Sequence, residues 1–136
     1  MKIEDRESIL LVDDRPEGLL ALEAALQSPE YSLIKANSGV EALSCLLKQD
    51  LALIIMDVQM PSFGTGVDAV RRLREHPKLK DVPVLLMTAM TPAEVKTLIT
   101  APLPKTWLLF KPPRWQAVLA HVAQVIGPPE NTKPPA

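Results

Sequence analysis

Cysteine is almost missing from this chain. The one present, Cys45, cannot close an internal disulfide, and a cysteine-rich zinc site is excluded with it. An excess of one charge is also missing: 15 Lys and Arg against 16 Asp and Glu leave a formal net charge of −1. Without a basic excess there is no electrostatic footprint for nucleic acid or for an anionic membrane surface. No apolar run approaches the roughly 18–20 residues that span a bilayer. The charged opening Met1–Glu7 carries no apolar signal core. A reducing, cytoplasmic setting is therefore expected. A phosphate-cradling glycine loop is absent too, because Gly64-Thr65-Gly66 lacks both the length and the Lys-Ser/Thr ending of one.

What is there suits one folded unit. The 136 residues are 47% apolar and 23% charged, a globular balance that excludes disorder over most of the chain. A domain of this size buries roughly two-thirds of its unfolded surface and needs no staple. Four of the 14 prolines fall in the last nine residues. The expected division is a folded domain over 7–127 and a Pro-rich, flexible tail over 128–136.

Short apolar runs alternate with helical patterns. Ser8–Val12 reads as a buried strand that stops at Asp13-Asp14, and Pro16 opens a helix whose inner face is Leu19, Leu22 and Leu26. Tyr31–Ala36 is a second strand. Ser38-Gly39-Val40-Glu41 has the form of a capping box ahead of a helix with Ala42, Leu43, Leu46 and Leu47 inward. Leu51–Met56 does not alternate, as in a strand covered on both faces, and it ends at Asp57. A loop from Gln59 to Gly64 leads to a third helix with Val67, Val70 and Leu73 inward. Pro83–Met87 is the fourth strand, stopping at Thr88. Thr91-Pro92-Ala93-Glu94 signals a helix start, with Val95, Leu98 and Ile99 inward. Trp107–Phe110 is the fifth strand, ending at Lys111. The last helix carries Trp115, Val118, Leu119, Val122 and Ile126 in one stripe, closed by Gly127-Pro128. Five β–α units predict an α/β fold with a parallel sheet.

In such a sheet the carboxyl ends of the strands share one edge, where ligands bind. Asp13, Asp14, Asp57, Thr88 and Lys111 all stand at those ends. Converging carboxylates oppose one another's ionisation. A hard divalent cation, Mg²⁺ first and Mn²⁺ next, relieves this. A carboxylate beside such a metal can act as a nucleophile toward phosphorus, with a hydroxyl and an ammonium to hold phosphoryl oxygens. A phosphatase-type enzyme is disfavoured: the place of its acid/base Asp is taken by Gln59, which cannot transfer protons, and no lid-sized insertion is visible. His76 and His121 are expected to be solvated, Arg71, Arg72 and Arg74 to form the wet face of their helix, Cys45 to pack, and Trp115 to be core or an edge contact.

These residues resemble the receiver domain of two-component response regulators. The resemblance runs over about residues 7–127. It rests on Leu11-Val12-Asp13-Asp14, Met56-Asp57-Val58-Gln59-Met60-Pro61, Thr88-Ala89 and Lys111-Pro112. The run from Asp57 to Pro61 is similar to receivers attached to hybrid histidine kinases. The resemblance implies a flavodoxin-like (βα)5 fold of strand order 2-1-3-4-5 and a signalling rather than an enzymatic role. It implies that Asp57 is the phosphoacceptor. Asp14 and Asp57 would bind Mg²⁺ directly, Asp13 through water, and Gln59 through its backbone carbonyl. Thr88 and Lys111 would grip the phosphoryl group and shift the surface of helix 4, strand 5 and helix 5. The donor would be a phosphohistidine on a histidine kinase or histidine phosphotransfer protein, or a small phosphodonor such as acetyl phosphate. The downstream partner and pairing of two copies are left open. Three positions depart from the family's pattern. Leu108 replaces an aromatic three residues before the Lys, and neither Trp107 nor Phe110 is expected on its face. Ala101-Pro102-Leu103-Pro104 replaces a Gly-Ala pair, and the stretch 62–66 is one residue longer. The alternative is a receiver-like interaction module that phosphorylation does not regulate.

Overall fold

The computed structural model describes residues 7–28, 31–37, 39–48, 50–60, 64–77, 79–101, 103–111 and 114–126. Five strands form one parallel sheet: β1 (Glu7–Val12), β2 (Tyr31–Ala36), β3 (Leu53–Asp57), β4 (Val84–Thr88) and β5 (Thr106–Phe110). Their order across the sheet is 2-1-3-4-5. The helices are α1 (Pro16–Leu26), α2 (Gly39–Lys48), α3 (Gly66–Glu75), α4 (Pro92–Leu98) and α5 (Trp115–Ile126). None of the described helices is long and apolar enough to cross a membrane.

Strand alternation sorts the core into two layers. Ile9, Leu11, Leu53, Ile55, Leu85 and Met87 face Leu19, Leu22 and Leu26 of α1 and Val118 and Val122 of α5. Leu10, Val12, Ile54, Met56, Val84 and Leu86 face the other way, onto Ala42 of α2 and Val67, Val70 and Leu73 of α3, with Leu98 of α4 packed alongside. The expected inner faces of α1 and α3 are thus found, and Cys45 packs beside the second layer. Each fully buried Leu or Ile contributes about 1.5–3 kcal/mol. These central strands therefore hold the sheet edge rigidly.

Capping chemistry starts α4 as expected. The Thr91 hydroxyl accepts from the Glu94 amide at 3.2 Å, and the Glu94 carboxylate accepts from the Thr91 amide at 3.0 Å. These hydrogen bonds hold the Glu94 carboxyl below its ordinary value. The expected capping residue of α2, Ser38, lies outside the described residues, as do Gly127 and the tail over 128–136.

Several expectations change. β3 begins at Leu53 rather than Leu51 and includes Asp57. The Ala52 amide is still tied to the sheet by donating to the Ser8 carbonyl at 2.8 Å. The stretch read as a loop contains a short antiparallel ribbon pairing Gln59 with Thr65 and Met60 with Gly64. The α5 stripe is only partly buried: Val118 and Val122 are in the core and Ile126 packs against it, while Trp115 and Leu119 are exposed. Alternation along β5 sends Leu109 to the α5 layer and Leu108 to the other. Phe110, two residues on, shares the face of Leu108, contrary to the expectation.

His121 is half-buried rather than solvated. Its ring meets Trp107 edge-on, with centroids 5.0 Å apart and planes at 65°. Arg74 is no wet-face residue either. Its guanidinium donates to the carbonyls of Pro104 (3.0 Å), Lys105 (3.1 Å) and Leu79 (3.3 Å). His76 is exposed just past the end of α3.

Candidate functional site

Register assembles the site. β1 pairs with β3 from Ile9 opposite Leu53 to Val12 opposite Met56. The next step along sets Asp13 beside Asp57. Both carry the parity of Ile9, Leu11, Leu53 and Ile55, so both belong to the α1–α5 face. β4 and β5 pair from Val84 opposite Thr106 to Thr88 opposite Phe110. Lys111 comes one step later, with the parity of Leu109. Its amide donates to the Thr88 carbonyl at 2.6 Å. Two carboxylates and one ammonium thus meet on one face at the carboxyl edge, although 54 residues separate Asp57 from Lys111.

The carboxylates are buried, Asp13 to 3% and Asp57 to 5% relative exposure. Asp57 Oδ1 accepts from the Gln59 amide at 3.1 Å. Its Oδ2 takes Lys111 Nζ at 3.0 Å and Arg15 Nη2 at 3.4 Å. Asp13 Oδ1 accepts from the Arg15 amide at 3.0 Å and stands 3.9 Å from Arg15 Nε. Lys111 Nζ lies 4.0 Å from Asp13 Oδ2. Two anions and two cations therefore form a closed ring. Burial pushes the Asp13 carboxyl above its ordinary value, and the Asp57 charge adds to this. The Arg15 amide, Lys111 and the Arg15 guanidinium pull the other way without cancelling it.

The remaining expected residues are placed differently. Thr88 is fully buried, and its hydroxyl accepts from the Met90 amide at 3.0 Å. It therefore holds the turn between β4 and α4 and is not hydrogen-bonded to Asp57. Its parity is that of Val84 and Leu86, the opposite face. Asp14 is half-buried and does not join the ring. Among the described residues no three His, Cys, Asp or Glu side chains are grouped to hold a metal. The convergence of three carboxylates is thus met by two. Gln59 contributes its amide to Asp57, with its side chain exposed.

Two contributors were not singled out from sequence. Arg15 stands directly after the acidic pair, a position that could have flagged it. Gly18 lies in the first turn of α1, where a Cβ would fall on the Asp13 carboxylate. Only glycine lets that turn close over the buried acid. A cavity of about 400 Å³ opens beside the ring, walled by Ala21, Leu22, Ile55, Met87 and Trp115. Trp115 is thus an edge contact of the site.

Residues 9–112 match the family described as Response regulator receiver domain. The chain belongs to this family. Receiver domains are signalling modules rather than classical enzymes, and they interact with histidine kinases or phosphotransfer proteins. This receiver domain is 34% identical over 87 residues to the two-component response regulator ORR3 of Oryza sativa subsp. indica, which is 63% of this chain and 66% of that protein. The chain thus spans just under two-thirds of that relative. The structure of the chemotaxis protein CheY4 of Vibrio cholerae superposes with a TM-score of 0.77 at 31% identity, covering 88% of this chain and 98% of that one. The receiver domain of a sensor histidine kinase from Pseudomonas aeruginosa PAO1 superposes with a TM-score of 0.77 at 26% identity, over 90% of this chain and 98% of that one. That structure has a magnesium ion coordinated in its active-site cleft.

The residues of this receiver domain fit a hard divalent cation on their own chemistry. Asp13 and Asp57 offer buried carboxylate oxygens at adjacent strand ends, and a guanidinium already bridges them as a cation would. One or two carboxylates, with water completing the shell, are what Mg²⁺ ordinarily takes.

Proposed function

We propose that this receiver domain accepts a phosphoryl group on Asp57 from a phosphohistidine of a histidine kinase or histidine phosphotransfer protein in the cytoplasm. The observation that carries this reading is the buried Asp57 carboxylate whose Oδ2 lies 3.0 Å from Lys111 Nζ. A carboxylate oxygen of Asp57 attacks phosphorus, the donor's P–N bond breaks, and the released imidazole takes a proton from solvent. The product is an aspartyl phosphate.

Asp13, Asp14, Asp57 and the Gln59 carbonyl would hold Mg²⁺, with Mn²⁺ as a substitute. When bound, the cation neutralises charge on the phosphoryl oxygens. Lys111, already on Asp57, would follow onto a phosphoryl oxygen as a charge-assisted donor. Thr88 would turn its hydroxyl from the Met90 amide toward another phosphoryl oxygen. That exchange releases one tie of the β4–α4 turn, which leads into the surface formed by α4, β5 and α5. A shift of that surface between two pre-existing states would then reach a downstream protein partner.

The test is intact mass after incubation with acetyl phosphate, with and without Mg²⁺, on the native chain and on Asp57→Asn. Acetate is then the leaving group. One added phosphoryl group that needs both Mg²⁺ and Asp57 is expected. Absence of an adduct from acetyl phosphate and from phosphoramidate would overturn the proposal in favour of a docking module that phosphorylation does not regulate.

A further inference from the structure

The ring at the strand ends contains two cations of different character. Lys111 is well packed, with its side chain 21% exposed, while the Arg15 side chain is 57% exposed. The Arg15 backbone is fixed: its amide donates to Asp13 Oδ1 at 3.0 Å, and its carbonyl accepts from the Gly18 and Leu19 amides at 3.1 and 3.3 Å. Arg15 thus stands at the amino end of α1. Its guanidinium can leave the ring by side-chain rotation alone, without disturbing the helix.

The contacts the guanidinium makes are long. Nη2 lies 3.4 Å from Asp57 Oδ2 and Nε 3.9 Å from Asp13 Oδ1. They span two of the carboxylates to which the proposed function gives the cation. A guanidinium cannot share those oxygens with a divalent ion, because both positive charges would stand within a few ångströms of each other. The pair is part-buried, but its guanidinium side is exposed and its contacts are long and monodentate, so salt can screen it and a divalent cation can displace it.

We propose that Arg15 is a tethered counter-ion, which closes the acidic pair in the metal-free protein and must swing out before a divalent cation can bind. Arg15 therefore sets the Mg²⁺ concentration at which Asp57 becomes competent, and it guards two buried carboxylates in the interval. This inference rests on the phosphoacceptor reading and adds a regulator of its metal step.

The experiment is a MgCl₂ titration of the full chain followed by amide chemical shifts. The Gln59 amide is the reporter, because it donates to Asp57 Oδ1 and lies outside the Arg15 pair. The native chain, Arg15→Ala, Arg15→Gln, Arg15→Lys and Asp57→Asn are compared at low and high KCl. Arg15→Ala and Arg15→Gln are expected to bind Mg²⁺ tighter by at least about two- to fivefold at low salt, the scale of an ion pair whose cation is exposed. Arg15→Lys should stay near the native value, and the gain should shrink as KCl rises. Unchanged or weaker binding in both neutral variants, with Asp57→Asn still abolishing it, overturns the Arg15 role alone. A native chain with no saturable Mg²⁺ response overturns the Arg15 role together with the metal step of the proposed function.

Discussion

His121 stands with its Nε2 buried and without a hydrogen-bond partner among the described residues, its ring against the indole of Trp107. Burial holds its imidazole below the ordinary value, so the folded state resists protonation there. The unfolded chain takes up that proton near pH 6.5, and it binds more protons than the fold in the window below. Stability is therefore lost as pH falls through that window. His121→Phe, which keeps an aromatic ring against Trp107, should lose less Tm than the native chain between about pH 7.5 and about pH 5.5. Thermal melts at matched pH read the difference. Asp13 has the opposite sign. Its raised value means that the fold binds the proton first, so its contribution to stability declines as pH rises above the ordinary carboxylate range. Gly18→Ala is expected to destabilise the fold by about 1–3 kcal/mol, the range of overpacking, because the new methyl meets the Asp13 carboxylate. Denaturant unfolding measures it. Asp13, Asp57 and Lys111 were legible in the sequence because strand ends and alternation need only local pattern. The Trp107–His121 contact was not, since it joins β5 to a helix face that the apolar stripe did not mark.

Between elements, the tie that spacing could not reveal runs from α3 to the segment before β5. Arg74 reaches the carbonyls of Pro104 and Lys105 and the Thr106 hydroxyl, some 30 residues away in sequence. Lys105 there has φ 49°, in the left-handed region that a side chain disfavours. The guanidinium thus fastens a turn with backbone strain of its own, at the place where the family's Gly-Ala pair is replaced. Arg74→Ala should cost about 1–2 kcal/mol, as expected for lost charge-assisted hydrogen bonds. It should also speed amide exchange around Lys105 and Thr106, read by hydrogen exchange. Arg74→Lys would restore little, because an ammonium cannot reach those acceptors in a fork. The capping box at Thr91, by contrast, is encoded within four residues, and it was legible for that reason.

On the scale of the whole molecule, two apolar layers sandwich one sheet, and the chemistry sits where three strands of that sheet run out. The α/β class with its parallel sheet follows from uninterrupted apolar runs and helical stripes, whereas the strand order is what the family resemblance implied, because no local pattern fixes which strands lie side by side. The ribbon joining Gln59–Met60 to Gly64–Thr65 escaped that reading because two-residue strands have no period to detect. The parity that gathers Asp13, Asp57 and Lys111 has a consequence for how such a chain can vary in length. A single residue added inside β1 turns everything beyond it to the opposite face while pairing is kept. An alanine inserted between Leu11 and Val12 should therefore abolish the acetyl phosphate adduct seen by intact mass. An insertion in the 62–66 stretch should spare it. Variation in length is thereby driven out of the strands and into the connections.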